Sequence, residues 1–122
     1  MELFYVDCII ENARKPCHIT GVKRLMVDCG AEYTWIPEDV LETIGVQVAK
    51  KDIQFLIANG QTITRDIGYA IIRVDEFETI DEVVFGKKGD LKLLGARTLE
   101  GFAARVDSRA KKLVAAGPIP AA

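Results

Sequence analysis

The sequence has 122 residues, of which 49% are apolar and 28% are charged, a balance typical of one folded domain and not of a disordered chain. Its net charge of −2 gives no reason to expect nucleic acid or an anionic membrane as a partner. No stretch approaches the roughly 20 apolar residues of a membrane span, and the first ten residues carry no basic side chain, so we expect a cytoplasmic protein.

Most of the chain has the pattern of short strands. Runs rich in β-branched, aromatic and alternating apolar residues predict strands separated by polar or glycine-containing turns. In chain order, these runs are residues 3–6, 18–21, 24–27, 33–36, 53–57, 63–67, 70–74, 82–85, 91–94, 106–107 and 111–115.

Two helices and a tight turn interrupt the strands. Residues 37–45 predict a helix, because Pro37 takes its first position, two acids lie in the first turn and Gly45 follows the last turn. A second helix of about two turns is expected over residues 96–102. Asn59-Gly60 lies between two alternating runs and predicts a hairpin with a type I′ turn.

These elements predict a mainly β domain, closed or barrel-like, with one or two short helices. We expect it to cover residues 1–115 and to be followed by a flexible tail of proline, glycine and alanine over residues 116–122.

Three cysteines and one histidine limit the redox and metal chemistry. Cys8, Cys17 and Cys29 cannot all pair within one chain, and no CxxC or HxxxH spacing occurs. We therefore expect reduced thiols, no bound metal and no cofactor.

Asp28 is the unusual acid of the sequence. It follows the apolar run Leu25-Met26-Val27 and precedes Cys29-Gly30-Ala31, so its neighbours are uncharged. A carboxylate at the end of an apolar strand is costly to bury unless a partner pairs with it, which makes Asp28 a candidate catalytic group. The alternative is an acid that only accepts hydrogen bonds from the amides of its own turn.

The order of these pieces resembles that of the retropepsin-like aspartic proteases. Asp28-Cys29-Gly30-Ala31 is followed by Thr34-Trp35-Ile36-Pro37, then by the Asn59-Gly60 hairpin, and then by Leu93-Leu94-Gly95 before a short helix. The resemblance covers about residues 18–115 and is closest to the small stand-alone bacterial and archaeal members. It implies the single-lobe acid-protease fold, a closed β-barrel.

The resemblance implies a homodimeric aspartic endopeptidase. Two carboxylates must share a proton, whereas this chain has one Asp-x-Gly-Ala, so Asp28 of two copies would meet and activate a water against a peptide or protein substrate. The runner-up is a catalytically weak or inactive dimerisation or peptide-binding module. Cys29 favours it, because a hydroxyl is usual there in the family and a thiol is a weak hydrogen-bonding group. A third reading is a monomer in which Asp28 is structural.

The resemblance also implies roles for neighbouring residues. The active turn would be completed by Cys29, Gly30 and Ala31. Substrate would be bound by Glu32 and by a flap whose tip is Ala58, Asn59 and Gly60. Structural support beneath the turn would come from Thr34, Leu93, Leu94 and Gly95. Trp35 is expected in the core or a dimer interface, and Arg97 lies one place later than the viral dimer-anchoring arginine, so it is not given that role.

Overall fold

A computed structural model describes residues 3–121 of the chain. Its strands are β1 (Tyr5–Asn12), β2 (Ile19–Val27), β3 (Thr34–Pro37), β4 (Lys50–Leu56), β5 (Thr62–Val74), β6 (Phe77–Gly86), β7 (Leu93–Leu94), β8 (Ala104–Asp107) and β9 (Lys112–Ala115). Its helices are α1 (Glu38–Thr43) and α2 (Ala96–Phe102). The predicted mainly β architecture with two short helices is therefore confirmed.

Six of the strands close into a ring. They are hydrogen-bonded in the order β1-β2-β7-β3-β6-β5, and β5 returns to β1 through an antiparallel pairing of Ala70–Arg73 with Ile9–Asn12. Two neighbouring pairs, β2–β7 and β3–β6, are parallel, and both flank the region in which Asp28 lies. β8 and β9 form a separate hairpin at the end of the described chain.

The long strand β5 explains how a hairpin projects from this ring. Its first half pairs with β4 through Thr62–Ile67, whereas its second half pairs with β1 on the same side. Strand β4 is therefore at the end of the sheet, and the β4–β5 hairpin extends beyond the ring.

The core is built from alternate residues of the ring strands, because successive side chains of a strand point to opposite faces. Ile10, Leu25 and Ile72 are fully buried examples. Both helices pack on this core: α1 inserts Leu41, and α2 inserts Phe102, whose ring lies 5.9 Å from that of Phe77 between centroids.

Several predicted boundaries were wrong. The first strand starts at Tyr5 and runs to Asn12, not over 3–6, and the runs 18–21 and 24–27 form one strand that accommodates a positive φ of 58° at Arg24. Runs 63–67 and 70–74 likewise form one strand, since pairing with β4 through Thr62–Ile67 continues directly into pairing with β6 through Ile67–Val74.

The Asn59-Gly60 hairpin is confirmed, but its turn type was wrong. The amide of Gly60 donates to the Ile57 carbonyl at 2.9 Å, and of the two turn residues only Gly60 has a positive φ, 85°. This is a type I turn followed by a left-handed glycine, the usual three-residue hairpin loop, whereas a type I′ turn needs positive φ at both central residues.

The ends of the chain are described only in part. β9 ends at Ala115, and residues 116–121 form neither helix nor strand. The predicted spans 1–115 and 116–122 include residues 1, 2 and 122, which lie outside the described residues, so the domain boundary and the flexible tail stay predictions. No helix within residues 3–121 is long and apolar enough to cross a membrane.

Candidate active site

Asp28 begins a tight turn at the end of β2. Its amide donates to the Leu94 carbonyl at 3.0 Å, and its own carbonyl accepts from Ala31 at 3.1 Å. The Gly30 amide donates to Asp28 Oδ1 at 2.9 Å. Asp28 Oδ2 has no hydrogen-bond partner among residues 3–121. The turn therefore fixes the half-buried carboxylate through one oxygen and leaves the other available.

Strand β7 supports this turn from beneath. It lies between β2 and β3, so that Val27 pairs with Leu94 on one side and Trp35 pairs with Leu93 on the other. The chain from β2 to β3 must consequently pass over the end of β7. Leu94 is fully buried and Leu93 partly buried, and their role as support for the turn stays a prediction.

Gly95 is required by this close crossing. A Cβ atom placed there would lie 2.3 Å from the Tyr33 carbonyl oxygen and 2.8 Å from that of Glu32, both of which are backbone atoms. The next two amides, of Ala96 and Arg97, donate to the Ala31 and Glu32 carbonyls at 2.7 and 3.1 Å. The start of α2 is thus bonded directly to the residues that follow the active turn.

A buried polar chain lies behind the crossing. The Gly95 amide donates to Thr34 Oγ1 at 3.0 Å, Thr34 Oγ1 lies 2.5 Å from Thr98 Oγ1, and Thr98 Oγ1 donates to Asp81 Oδ2 at 2.9 Å. Both threonine side chains are fully buried. Thr34 belongs to this buried chain of hydrogen bonds, and its predicted supporting role stays a prediction. Thr98 and Asp81 were missed because neither belongs to a local motif.

The β4–β5 hairpin packs against the segment that follows the active turn. The Phe55 ring on β4 meets the rings of Tyr33 and Trp35 edge-on, with centroid distances of 5.6 and 5.2 Å. Arg97 covers the Tyr33 ring at 4.8 Å and pairs with Glu82 at 3.1 Å. Glu82 also pairs with Lys50 at 2.8 Å, and this hydrogen bond holds the pKa of Glu82 below its ordinary value.

The family comparison agrees with this arrangement. Residues 16–101, more than two thirds of the chain, match the family model described as "gag-polyprotein putative aspartyl protease". The chain belongs to this aspartyl protease family. No curated protein sequence matched it. The predicted retropepsin-like family and its fold are thereby confirmed, and the closer likeness to bacterial and archaeal members stays a prediction.

Within this protease domain, the structure gives the predicted substrate-binding residues different surroundings. Glu32 is exposed, and its carboxylate forms no ion pair within residues 3–121. At the hairpin tip, Asn59 Oδ1 accepts from the Gln61 amide at 2.9 Å and its side-chain nitrogen faces Gln61 Oε1, so the carboxamide stabilises its own turn. Ala58 and Gly60 are exposed, and no hydrogen bond joins the tip to the Asp28 turn in the described chain.

An apolar cavity opens beside the Asp28 turn. Its volume is about 530 Å³. It is lined by Leu3, Phe4, Met26, Val27, Asp28, Cys29, Gly30, Val106, Ser108 and Lys111. The Cys29 thiol is exposed here, without a hydrogen bond within residues 3–121. Trp35 is half-buried. Its side chain does not line this cavity and is not among the fully buried core residues.

Among the described residues, the remaining thiols and acids form no second candidate catalytic or metal-binding site. Burial raises the pKa of the Cys8 thiol to about 12, which keeps it protonated and unreactive. Cys17 and Cys29 are exposed and free. No group of three His, Cys, Asp or Glu side chains within residues 3–121 could hold a metal ion.

Proposed function

We propose that the chain is a homodimeric aspartic endopeptidase in which Asp28 of each copy supplies one of two catalytic carboxylates. The observation that carries this proposal is the Asp28 turn itself. One carboxylate oxygen is held by the Gly30 amide while Oδ2 has no partner among residues 3–121, next to an apolar cavity. A purely turn-capping aspartate would explain the first bond but not the apolar space beside it.

The need for a second copy follows from the chemistry. Aspartic proteolysis uses two carboxylates close enough to share one proton, because two like charges a few ångströms apart cannot both ionise. The chain has a single Asp-x-Gly-Ala turn. Leu3, 63% exposed on the rim of the cavity, is an apolar side chain that a second copy would cover. These features favour pairing along the face that contains Asp28.

The proposed reaction is hydrolysis of a peptide bond. The ionised carboxylate removes a proton from a water, whose oxygen bonds to the carbonyl carbon, while the protonated carboxyl gives its proton to the carbonyl oxygen. The tetrahedral intermediate, a gem-diol, then breaks its C–N bond as the nitrogen accepts the proton that the first carboxyl took from water. One hydroxyl of the gem-diol returns its proton to the second carboxylate, and the products are a carboxylic acid and an amine. The site returns to one shared proton, so the cycle consumes only water and peptide.

The remaining parts of the proposal concern the surroundings of the reaction. The β4–β5 hairpin would act as the flap, with its inner side supplying Phe55 and Ile57. The substrate is a peptide or protein, and a cytoplasmic location is supported by the three free cysteines.

The test is Asp28→Asn with Asp39→Asn as its matched control. Asp39 also accepts an amide hydrogen bond, from Val40, but lies exposed on α1. We expect Asp28→Asn to abolish cleavage of a peptide library with an unchanged circular dichroism spectrum, and Asp39→Asn to cleave normally. Adding an equal amount of the Asp28→Asn chain to a fixed amount of wild type should leave about half the activity, because mixed dimers form.

Three outcomes would contradict the proposal. Cleavage that survives in Asp28→Asn would exclude Asp28 as the catalytic group. A wild type that binds ordinary peptides without turnover would instead favour the dimerisation or peptide-binding module, whereas tight binding of a statine-type transition-state mimic favours the enzyme. Wild-type activity that is indifferent to the added Asp28→Asn chain would exclude the shared site.

A further inference from the structure

The polar chain behind the active turn has one hydrogen-bond direction. An ionised carboxylate can only accept, so the Thr98 hydroxyl must give its single hydrogen to Asp81. Thr98 Oγ1 is then an acceptor for the Thr34 hydroxyl, which leaves the lone pairs of Thr34 to receive the Gly95 amide. Three hydrogen bonds therefore run in sequence from the Gly95 backbone to Asp81.

Asp81 is fully engaged in this arrangement. Its Oδ1 accepts from the Glu82 amide at 2.7 Å while Oδ2 accepts from Thr98. A carboxylate can serve both donors, whereas an amide of the same shape has one acceptor oxygen and one donor nitrogen. The position consequently requires an acid and not merely a polar side chain.

The other end of this series of hydrogen bonds is connected to the catalytic turn through one peptide unit. The carbonyl of Leu94, which accepts the Asp28 amide, and the amide of Gly95, which donates to Thr34, belong to the same planar peptide. Any rotation of that peptide about its flanking bonds moves both groups. The direction of the Thr34 hydroxyl therefore constrains the hydrogen bond that holds Asp28.

We infer that Asp81 is a positioning residue of the protease site, acting through Thr98, Thr34 and the Leu94–Gly95 peptide to fix the orientation of Asp28. The activity part of this inference rests on the proposed function. The acid lies on β6 and the turn follows β2, so the relay links two strands that are not neighbours in the ring.

The principal variants are Asp81→Asn and Thr98→Val. Asparagine can satisfy only one of the two donors with its oxygen, or it reverses the relay and leaves the Thr34 hydroxyl without an acceptor. Valine removes the central hydroxyl at nearly constant shape. Thr98→Ser keeps the hydroxyl and should restore wild-type behaviour. Matched controls are Glu78→Gln, which removes a charge from the far end of β6, and Thr20→Val on β2.

Two measurements are needed. Amide hydrogen exchange followed by NMR reads the relay directly, and we expect Gly95 and Asp28 to exchange about tenfold faster in Asp81→Asn and Thr98→Val. Steady-state kinetics should show kcat lowered by about tenfold or more with KM nearly constant, because the catalytic groups are misplaced while binding is retained. The alkaline limb of the pH–rate profile should move to lower pH, since a looser turn separates the two carboxylates and weakens their repulsion.

The results separate this inference from the proposed function. Unchanged exchange at Gly95 and Asp28 in both variants would overturn the relay, and so would equal effects in Glu78→Gln and Thr20→Val. If Gly95 and Asp28 exchange faster in the variants but the wild type does not cleave peptide, the relay is supported and the proposed protease activity is rejected. If Thr98→Val does not fold, the isosteric Asp81→Asn variant decides by the same measurements.

Discussion

Gly95 shows how little room separates the active turn from strand β7. Its missing side chain allows the backbone of residues 32–33 to pass within van der Waals contact, and a Cβ there would overlap backbone atoms that cannot rotate away. The sequence placed Gly95 in a supporting role through the Leu-Leu-Gly pattern, but the reason is visible only where the two segments cross. Cys29, by contrast, is exposed.

We predict that Gly95→Ala destabilises the protein by about 2–4 kcal/mol, because overlap with backbone must be relieved by shifting the turn. Gly21→Ala is the matched control, since the nearest atom to a Cβ at Gly21 is 3.9 Å away and φ there is not positive. Urea unfolding of both variants measures the difference. Equal stabilities would show that the crossing can relax.

At the scale of elements, the β4–β5 hairpin is held by aromatic contacts and not by its tip. Phe55 packs on two rings from the segment after the active turn, whereas Leu56 beside it points outward and is 78% exposed. Alternation along β4 separates the two side chains. Tyr33 and Trp35 thus connect the position of the hairpin to the strand that follows Asp28.

We expect Phe55→Ala to raise KM for peptides by about tenfold, because each aromatic pair contributes about 0.5–1.5 kcal/mol and the hairpin would close less often. Leu56→Ala, one residue away on the outer face, should leave KM unchanged. Michaelis–Menten kinetics of the two variants test this. A similar KM for Phe55→Ala and wild type would mean that these rings do not control the flap.

At the scale of the whole molecule, interactions between distant segments fasten the hairpin to the ring. Arg65 on β5 forms a two-pronged ion pair with Asp90, at 2.7 and 2.9 Å, and Asp90 also accepts the Lys87 amide at 2.7 Å. The hydrogen bond from Arg65 holds the pKa of Asp90 below its ordinary value of 3.8. Both side chains are only 15–16% exposed, so solvent screens the pair incompletely.

This pair predicts a pH-dependent contribution to stability. A carboxyl whose pKa is lowered by folding stabilises the protein fully above its unfolded value, and the contribution is lost as pH falls through the folded value. Asp90→Asn should therefore cost about 1 kcal/mol near neutral pH, and its difference from wild type should disappear in strong acid. Urea unfolding across pH measures it, with Asp39→Asn as control. A difference that is independent of pH would exclude the ion pair as its source.

The residues alone were sufficient for much of the local structure. Proline, two acids and a following glycine predicted α1, Asn59-Gly60 predicted the hairpin, and Asp28 with its glycine turn identified the candidate catalytic group. These features depend on interactions among a few neighbouring residues, so they can be predicted without knowing the tertiary structure. The predicted turn type at Gly60 was wrong, because the pairing of the neighbouring strands, and not the Asn59-Gly60 dipeptide, selects the loop conformation.

The sequence by itself determined the family and the single Asp-x-Gly-Ala turn, on which the proposed pairing of two copies rests. Only the tertiary structure decided what supports that turn. Thr34 and Thr98 are 64 residues apart, and Asp81 lies on a third segment, so no spacing along the chain could reveal that their hydroxyls and carboxylate meet. Strand register brings them together, because pairing of β2, β7 and β3 fixes which side chains face each other beneath Asp28.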